Sequence, residues 1–389
     1  AGIMNWLVVN LLFHFLIGAH GAQTTGQGFV GLDDDGNLAL QPPAGRQLMV
    51  DGVAVMNELA DLRTLIVQQQ STLSTLDATV AAQQNSMAQL NLVRLDHGFF
   101  GSIRSIDNTG NVGEYASLAL TTAGFPVISY YHSTNGDLKL AVCADATCSS
   151  AGTTIRTIDS TGDVGRHTSL ALTTAGFPVI SYYDHGNQDL KLAVCADATC
   201  SSGTTIRTID SSTGDVGWHT SLALTTAGFP VISYYENANS DLKLAVCADA
   251  TCASGTTIRT IDSANSVGYF TSLALTTAGF PVISYYDGTN NDLKLAVCAD
   301  VACSSGTTIR TIDSTGRVGQ FTSLALTAAG SPVISYYDFT NQDLKLAVCA
   351  DATCSSGTTI RTIDSAGDVG YYTSLALTTA GFPVISYYD

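Results

Sequence analysis

Apolar and polar residues alternate in short runs over most of the chain, and the same runs return. Counting from Ser169, they are SLALTTA (Ser169–Ala175), PVISYYD (Pro178–Asp184), DLKLAVCAD (Asp189–Asp197) and TTIRTID (Thr204–Asp210). Short runs rich in β-branched and aromatic residues, bounded by Gly, Pro, Asp and Ser, predict strands. The serine of SLAL stands at Ser117, Ser169, Ser221, Ser272, Ser323 and Ser374, a period of 51 or 52 residues. A period near 50 with four strands per unit predicts propeller blades. Solenoid coils are usually shorter, and separate sandwiches of this size would bury too little. The predicted fold class is therefore an all-β repeat domain over 95–389, a β-propeller of four-stranded blades. GSIRSID at Gly101–Asp107 is a lone run of the fourth type, and the last unit holds only its first two runs, Ser374–Asp389. The early run is expected to join the last sheet and close a ring, which removes edge strands. One DLKLAV strand is then still wanting. Either the sequence is a fragment of a longer gene, or a neighbouring subunit donates that strand.

Ahead of the repeats the period changes. Leu59, Ile66, Leu73, Val80 and Met87 recur every seventh residue, with Leu62, Gln69, Leu76, Gln83 and Leu90 at the second seam position. No Gly or Pro lies between Val53 and Arg94. This predicts a coiled-coil helix over 53–94, with these ten residues as the oligomerisation seam and a parallel trimer preferred to a dimer. The alternative is one amphipathic helix packed on the β-body. Residues 23–52, punctuated by DDDGN and PPAG, read as a small β/turn assembly segment. The Asp33–Asp35 triplet is turn chemistry, since no EF-hand series follows it. Trp6–Gly18 is an apolar run followed by small residues, so 1–22 is expected to be a signal peptide or apolar leader, starting at Met4 and cleaved near Ala22.

Charge and cysteines narrow the function. The net charge is −17 and only 13% of residues are charged. That argues against nucleic acid and anionic membrane surfaces, which need Lys/Arg clusters. The ten cysteines form five C-x4-C pairs: Cys143 with Cys148, Cys195 with Cys200, Cys247 with Cys252, Cys298 with Cys303, and Cys349 with Cys354. Even numbers at fixed spacing point to local disulfides and an extracellular, secreted protein with no membrane association in its mature form. Metal binding is the rival, but each pair falls two ligands short of a zinc site.

The copies differ in two places. One follows the VG of each unit, at Glu114-Tyr115, Arg166-His167, Trp218-His219, Tyr269-Phe270, Gln320-Phe321 and Tyr371-Tyr372. The other follows the second strand, in HSTNG (His132–Gly136), DHGNQ, ENANS, DGTNN and DFTNQ. Alternate connections of an antiparallel sheet lie at one edge, so both variable places fall on one face. Tyr115, His167, Trp218, His219, Tyr269, Phe270, Phe321, Tyr371 and Tyr372 are the candidate contact residues. Aromatic and short polar side chains together suit sugar stacking, protein contact or subunit packing. There is no HExxH, GxSxG or P-loop. Near-identical units offer no unequal pair of titratable groups, so no catalytic residue, cofactor or metal is assigned and the chain is expected not to be an enzyme.

The motifs SLAL..G.PVISYYD, DLKLAVC.D..C and IRTIDS resemble repeats of secreted microbial proteins that look like β-propellers, over roughly 101–389. GNLALQPP.G..LMVDGV, running into the heptads, resembles assembly segments of fibre and shaft proteins. The combination is similar to protomers of extracellular filaments such as algal flagellar hairs. The resemblance implies a structural subunit that self-assembles through its N-terminal segment and displays a propeller. The alternative is a glycan-binding adhesin or lectin that uses the variable loop face.

Overall fold

The computed structural model describes residues 29–32, 38–41, 49–50, 53–54, 63–76, 103–149, 152–212 and 214–389. The chain divides into two units, 1–102 and 103–389.

In the first unit, Phe29–Leu32 pairs antiparallel with Leu38–Gln41, and Met49–Val50 with Val53–Ala54. The expected helix therefore does not begin at Val53. A helix covers 63–76, every residue of it exposed. The 14 described residues reach about 21 Å and hold four of the ten seam residues, Ile66, Gln69, Leu73 and Leu76. Ile66, Leu73 and Leu76 are 46%, 57% and 59% exposed, and no second helix among the described residues covers them. The coiled coil is thus not seen, and nothing in the described residues supports assembly into a filament. Leu59, Leu62, Val80, Gln83, Met87, Leu90 and the leader 1–22 lie outside the described residues.

The second unit is a succession of sheets, each an antiparallel meander in chain order. Unit 1 runs Val112–Leu120, Pro126–His132, Asp137–Val142 and Thr154–Asp159. Units 2 to 5 span Val164–Asp210, Val216–Asp262, Val267–Asp313 and Val318–Asp364, each with four strands. A terminal hairpin pairs Tyr371–Leu377 with Pro383–Tyr388. First strands of successive sheets lie against one another, which puts them innermost. The second strand, PVISYYD, is buried along its whole length in units 2 to 5 because sheets cover both of its faces. The fourth strand, TIRTID, is outermost and largely exposed. Lone apolar alternation would suit a half-buried sheet; here the stacking of copies buries the other half too.

The core lies between sheets, not within one. Val127, Leu138 and Leu140 of unit 1 pack on Val164, Leu170, Ile180 and Tyr182 of unit 2, and the same set recurs at the next junctions. Each such aliphatic side chain contributes about 1.5–3 kcal/mol on burial. Serines staple the junctions: the Leu170 N–H donates to Ser117 Oγ at 3.0 Å, and the Ser129 and Thr168 hydroxyls share a hydrogen bond. Gly165, at φ +102°, is required by close approach. A Cβ there would stand 2.7 Å from Leu138 Cα of the preceding sheet.

A buried polar clamp repeats as well. Asp159, which ends the fourth strand of unit 1, accepts from Tyr182 Oη at 2.6 Å and Lys191 Nζ at 2.9 Å, both in unit 2. Asp262 receives Tyr285 and Lys294 in the same way, and Asp313 receives Tyr336 and Lys345. Burial would raise these carboxyls. Hydrogen bonds outweigh it: tyrosine and lysine for Asp159 and Asp262, Tyr234 and Ser212 for Asp210, and the Thr315 hydroxyl with Tyr336 and Lys345 for Asp313, so the first three sit below the usual carboxylate range and Asp313 falls to about 2. Buried lysines are tolerated only when paired, and this pairing joins neighbouring units.

All five expected disulfides are present: Cys143 to Cys148, Cys195 to Cys200, Cys247 to Cys252, Cys298 to Cys303, and Cys349 to Cys354. Their Cα atoms are 4.8–5.0 Å apart, and no cysteine is free among the described residues. The bridges do not join strand to strand. Cys148, Cys200, Cys252, Cys303 and Cys354 stand in the turn after the third strand, with φ +49° to +53°. Nor are they merely surface clips on loops. Cys200, Cys252 and Cys303 are buried in the core between sheets beside Cys195, Cys247 and Cys298, and the half-buried Cys354 packs against the cluster that holds Cys349. Each bridge therefore folds its turn back onto the junction and adds apolar sulfur to it.

The ring closure expected from GSIRSID is not made. Residues 103–107 pair in no sheet, and the terminal hairpin remains two-stranded.

Candidate functional site

The two variable places do meet at one end of each sheet. In unit 2, Val164 pairs with Asp184, and the His185 N–H donates to Asp163 O at 2.8 Å. The same bond recurs from Ser133 to Asn111, Asn237 to Asp215, Gly288 to Ser266 and Phe339 to Arg317. The disulfide loops lie at the opposite end, where Cys195 N–H bonds Pro178 O.

The candidate residues separate into two tiers. A β-bulge sets His167 and Thr168 opposite the single residue Tyr182, since Arg166 pairs with Tyr183 and Ser169 with Ser181. His167 adopts φ +53°, and Tyr115, His219, Phe270, Phe321 and Tyr372 adopt φ +50° to +54°. A left-handed backbone is costly for aromatic residues, and here all six copies hold it. The bulge turns these rings toward their counterparts in a continuous column. Successive centroids, from Tyr115 through His167, His219, Phe270 and Phe321 to Tyr372, are 4.3–4.6 Å apart. Burial pushes the His219 imidazole down to about 4. It lowers His167 too, where the neighbouring His219 and Arg166 add to the effect.

The residue before each bulge forms an outer tier on the second tyrosine of SYY from the preceding unit. Tyr269 stacks on Tyr235 at 4.1 Å and Tyr371 on Tyr337 at 4.1 Å. Burial, together with the Tyr269 hydroxyl bonded at 2.7 Å, pushes Tyr235 up to about 12. Trp218 Nε1 donates to Asp215 Oδ1 at 2.8 Å, and Tyr183 Oη donates to the same oxygen at 2.5 Å. Arg166 donates to Asp163 at 2.8 Å and lies over the Tyr131 ring at 5.4 Å. Arg317 lies over Phe339 at 4.1 Å. Each junction thus presents a different combination: Asp–Arg–Tyr, Asp–Trp–Tyr, Ser–Tyr–Tyr, Arg–Gln–Tyr and Asp–Tyr–Tyr. His185, Phe339 and Tyr372 extend the aromatic surface outward, the last two at 44% and 70% exposure.

Sequence reasoning named residues of both tiers as one contact face, without Arg166 and Gln320. It missed Asp163, Asp215 and Arg317, which precede the VG and orient the outer tier. Their departure from one another between copies was the available signal.

No family model matches the chain, and no curated protein matches it in sequence. Solved structures do resemble it. A protein of unknown function from Dyadobacter fermentans has a TM-score of 0.52 at 11% identity, over 71% of this chain and 90% of that one. An α-L-arabinanase from Penicillium chrysogenum, complexed with arabinobiose, has a TM-score of 0.48 at 12% identity, over 71% and 93%. The SapL1 lectin, complexed with α-methyl fucoside, has a TM-score of 0.48 at 10% identity, over 68% and 85%. At such identities the likeness is one of fold, a propeller-like succession of four-stranded sheets.

The expectation that the chain is not an enzyme does not stand. Its premise fails on the structure: the copies are unequal where it matters. His219 and Phe270 occupy equivalent places, as do Arg166 and Trp218, so the repeat supplies non-equivalent environments on one face.

Proposed function

We propose that the repeat domain, 103–389, is a secreted glycan-binding module and that it binds through the face carrying the variable loops. The observation that carries this reading is where the copies diverge. Strands, turns and disulfide loops are held nearly constant, while the outer tier changes at every junction between Arg166, Trp218, Tyr269, Gln320 and Tyr371. Flat aromatic faces beside Asp, Asn and Arg suit sugars, which offer apolar C–H faces and hydroxyls together. The acidic chain repels non-specific anionic partners, leaving designed contacts. Five disulfides favour an oxidising, extracellular compartment.

The test is a glycan array probed with the disulfide-intact protein and with Trp218→Ala. Selective binding that the variant loses, with its thermal midpoint kept, is the expected result. No selective binding, or binding unaffected by changes at Trp218, Tyr269 and Tyr371, would remove the reading.

A further inference from the structure

One junction of the variable face has its charge reversed. The residue before the VG is an aspartate at three junctions, Asp163, Asp215 and Asp368. Each of these carboxylates accepts from the second SYY tyrosine of the preceding unit: Tyr131 at 2.6 Å, Tyr183 at 2.5 Å and Tyr337 at 2.6 Å. Between units 4 and 5 the equivalent place holds Arg317. The tyrosine of that junction, Tyr286, turns its hydroxyl to Asn291 Oδ1 at 2.7 Å and accepts from Arg317 Nε at 3.3 Å. A place that accepts hydrogen bonds at three junctions donates them at this one.

Two further departures fall on the same junction and hold the guanidinium in position. Phe339 stands where the other loops have Ser133, His185, Asn237 and Gly288, and Arg317 lies over its ring at 4.1 Å. Gln320 stands where the other units have Glu114, Arg166, Trp218, Tyr269 and Tyr371. With its amide oxygen turned to the guanidinium, Gln320 accepts from Nε at 3.1 Å and Nη2 at 3.0 Å. The backbones are tied as well: Phe339 N–H donates to Arg317 O at 2.9 Å, and Arg317 N–H donates to Thr340 Oγ1 at 2.7 Å. Arg166, on the same face, is paired with Asp163 at 2.8 Å. Arg317 is exposed, and no carboxylate among the described residues pairs with it. In a chain of net charge −17, a fixed guanidinium without an acid is the exception.

We propose that the junction between units 4 and 5 binds an anionic group of a sugar, a carboxylate or a sulfate ester, through Arg317. This inference rests on the glycan-binding reading above and names the class of glycan. A guanidinium fork matches either anion with two parallel N–H donors. Phe339, Gln320 and Tyr286 hold it before the ligand arrives, so little side-chain freedom is lost on binding. The net charge opposes anions in general, so the preference depends on this one cation and weakens as salt rises. Neutral sugars are left to the Trp218 and Tyr269 junctions.

The test is an array of trisaccharides of galactose, glucose and mannose, each made with C6 as hydroxymethyl, carboxylate or sulfate ester. It is probed with the disulfide-intact full chain, with Arg317→Asp and with Arg317→Gln. The aspartate is native to the equivalent place at Asp163, Asp215 and Asp368, so the fold is expected to hold, with an unchanged thermal midpoint. An anionic form should bind about tenfold more tightly than its neutral counterpart. Both variants should lose that preference while keeping their affinity for the neutral form. Whether the carboxylate or the sulfate leads identifies the source of the anion, and either supports the proposal. Neutral forms bound as tightly as anionic ones, or a preference that survives both substitutions, would overturn it and leave the glycan-binding reading standing. No binding of any form would overturn both.

Discussion

His219 stands in the aromatic column with the rings of His167 and Phe270 at 4.5 and 4.6 Å. Units 4 and 5 place Phe270 and Phe321 at the same position, so phenylalanine fits there without new crowding. Burial lowers the His219 imidazole from 6.5 to about 4. The unfolded chain therefore takes up its proton near pH 6.5, and the folded chain only near pH 4. Between these values the unfolded state binds more protons, so stability present at neutral pH is lost as pH falls. With about 1.4 kcal/mol per pH unit, the upper limit is about 3 kcal/mol, and partial solvent screening brings it nearer 2. His219→Phe removes this loss. The assay is urea unfolding at pH 7 and pH 4.5 in a Trp6→Phe background, so that Trp218, 6.3 Å from His219, is the sole tryptophan reporter. The parent should lose about 2 kcal/mol more than the variant on acidification. Identical losses would show that His219 is solvated and would refute the lowering expected of its half-buried place in the column.

Other perturbations follow from the clamps and staples. Asp313→Asn should cost about 2 kcal/mol at neutral pH, because it removes the nearer acid of Lys345 at 2.9 Å and leaves that lysine Asp338 at 3.3 Å. Because the Asp313 carboxyl is lowered to about 2, its contribution is present above the unfolded value near 4 and lost below it, so the variant and parent should converge in urea midpoint toward pH 2. His132→Asp should stabilise unit 1 by about 1 kcal/mol, measured by amide exchange of Asp137–Val142. It replaces an imidazole whose two buried nitrogens make no hydrogen bond among the described residues, Nδ1 standing 3.8 Å from Asp137, and it restores the second acid that Lys191 finds in Asp184 at 3.5 Å. Serine at both Cys298 and Cys303 should lower the urea-unfolding free energy by only about 2 kcal/mol, since the bridge closes a loop with a sequence separation of 5.

Much of this architecture is legible in one unit of sequence. PVISYYD and DLKLAV read as strands, and their return every 51 or 52 residues implies sheets that stack. C-x4-C spacing is short enough to read as a local bridge. What the spacing does not reveal is the left-handed turn at Cys200, Cys252 and Cys354, or that the sulfurs pack into the junction between sheets. The shared edge of the two variable loops follows from antiparallel parity alone, and the His185-to-Asp163 bond realises it. The bulge was not legible. A bulge residue in a left-handed conformation looks like any strand residue, so Trp218 and His219 read as one contact surface, although His219 continues the column to Phe270 while Trp218 bonds Asp215 beside Tyr183. The clamp was hidden for another reason. Asp159 and Lys191 stand 32 residues apart and belong to different sheets, so only the odd presence of a lysine inside an apolar strand announces it. The heptads are seen only in part: a helix covers 63–76, with Ile66, Gln69, Leu73 and Leu76 exposed, and the rest of the seam lies outside the described residues.

The central claim is that sugars bind where the junctions differ. Tryptophan emission of the Trp6→Phe protein, titrated with the sugar that an array selects, tests it most directly because Trp218 lies in the outer tier. Saturable change in that emission, lost on Asp215→Ala, which removes the acceptor of the indole N–H, or on Tyr183→Ala, which removes the ring beside the indole, is the predicted result. Sugar binding demonstrated by calorimetry with no change at Trp218, and with both substitutions silent, would contradict it and move the site off this face.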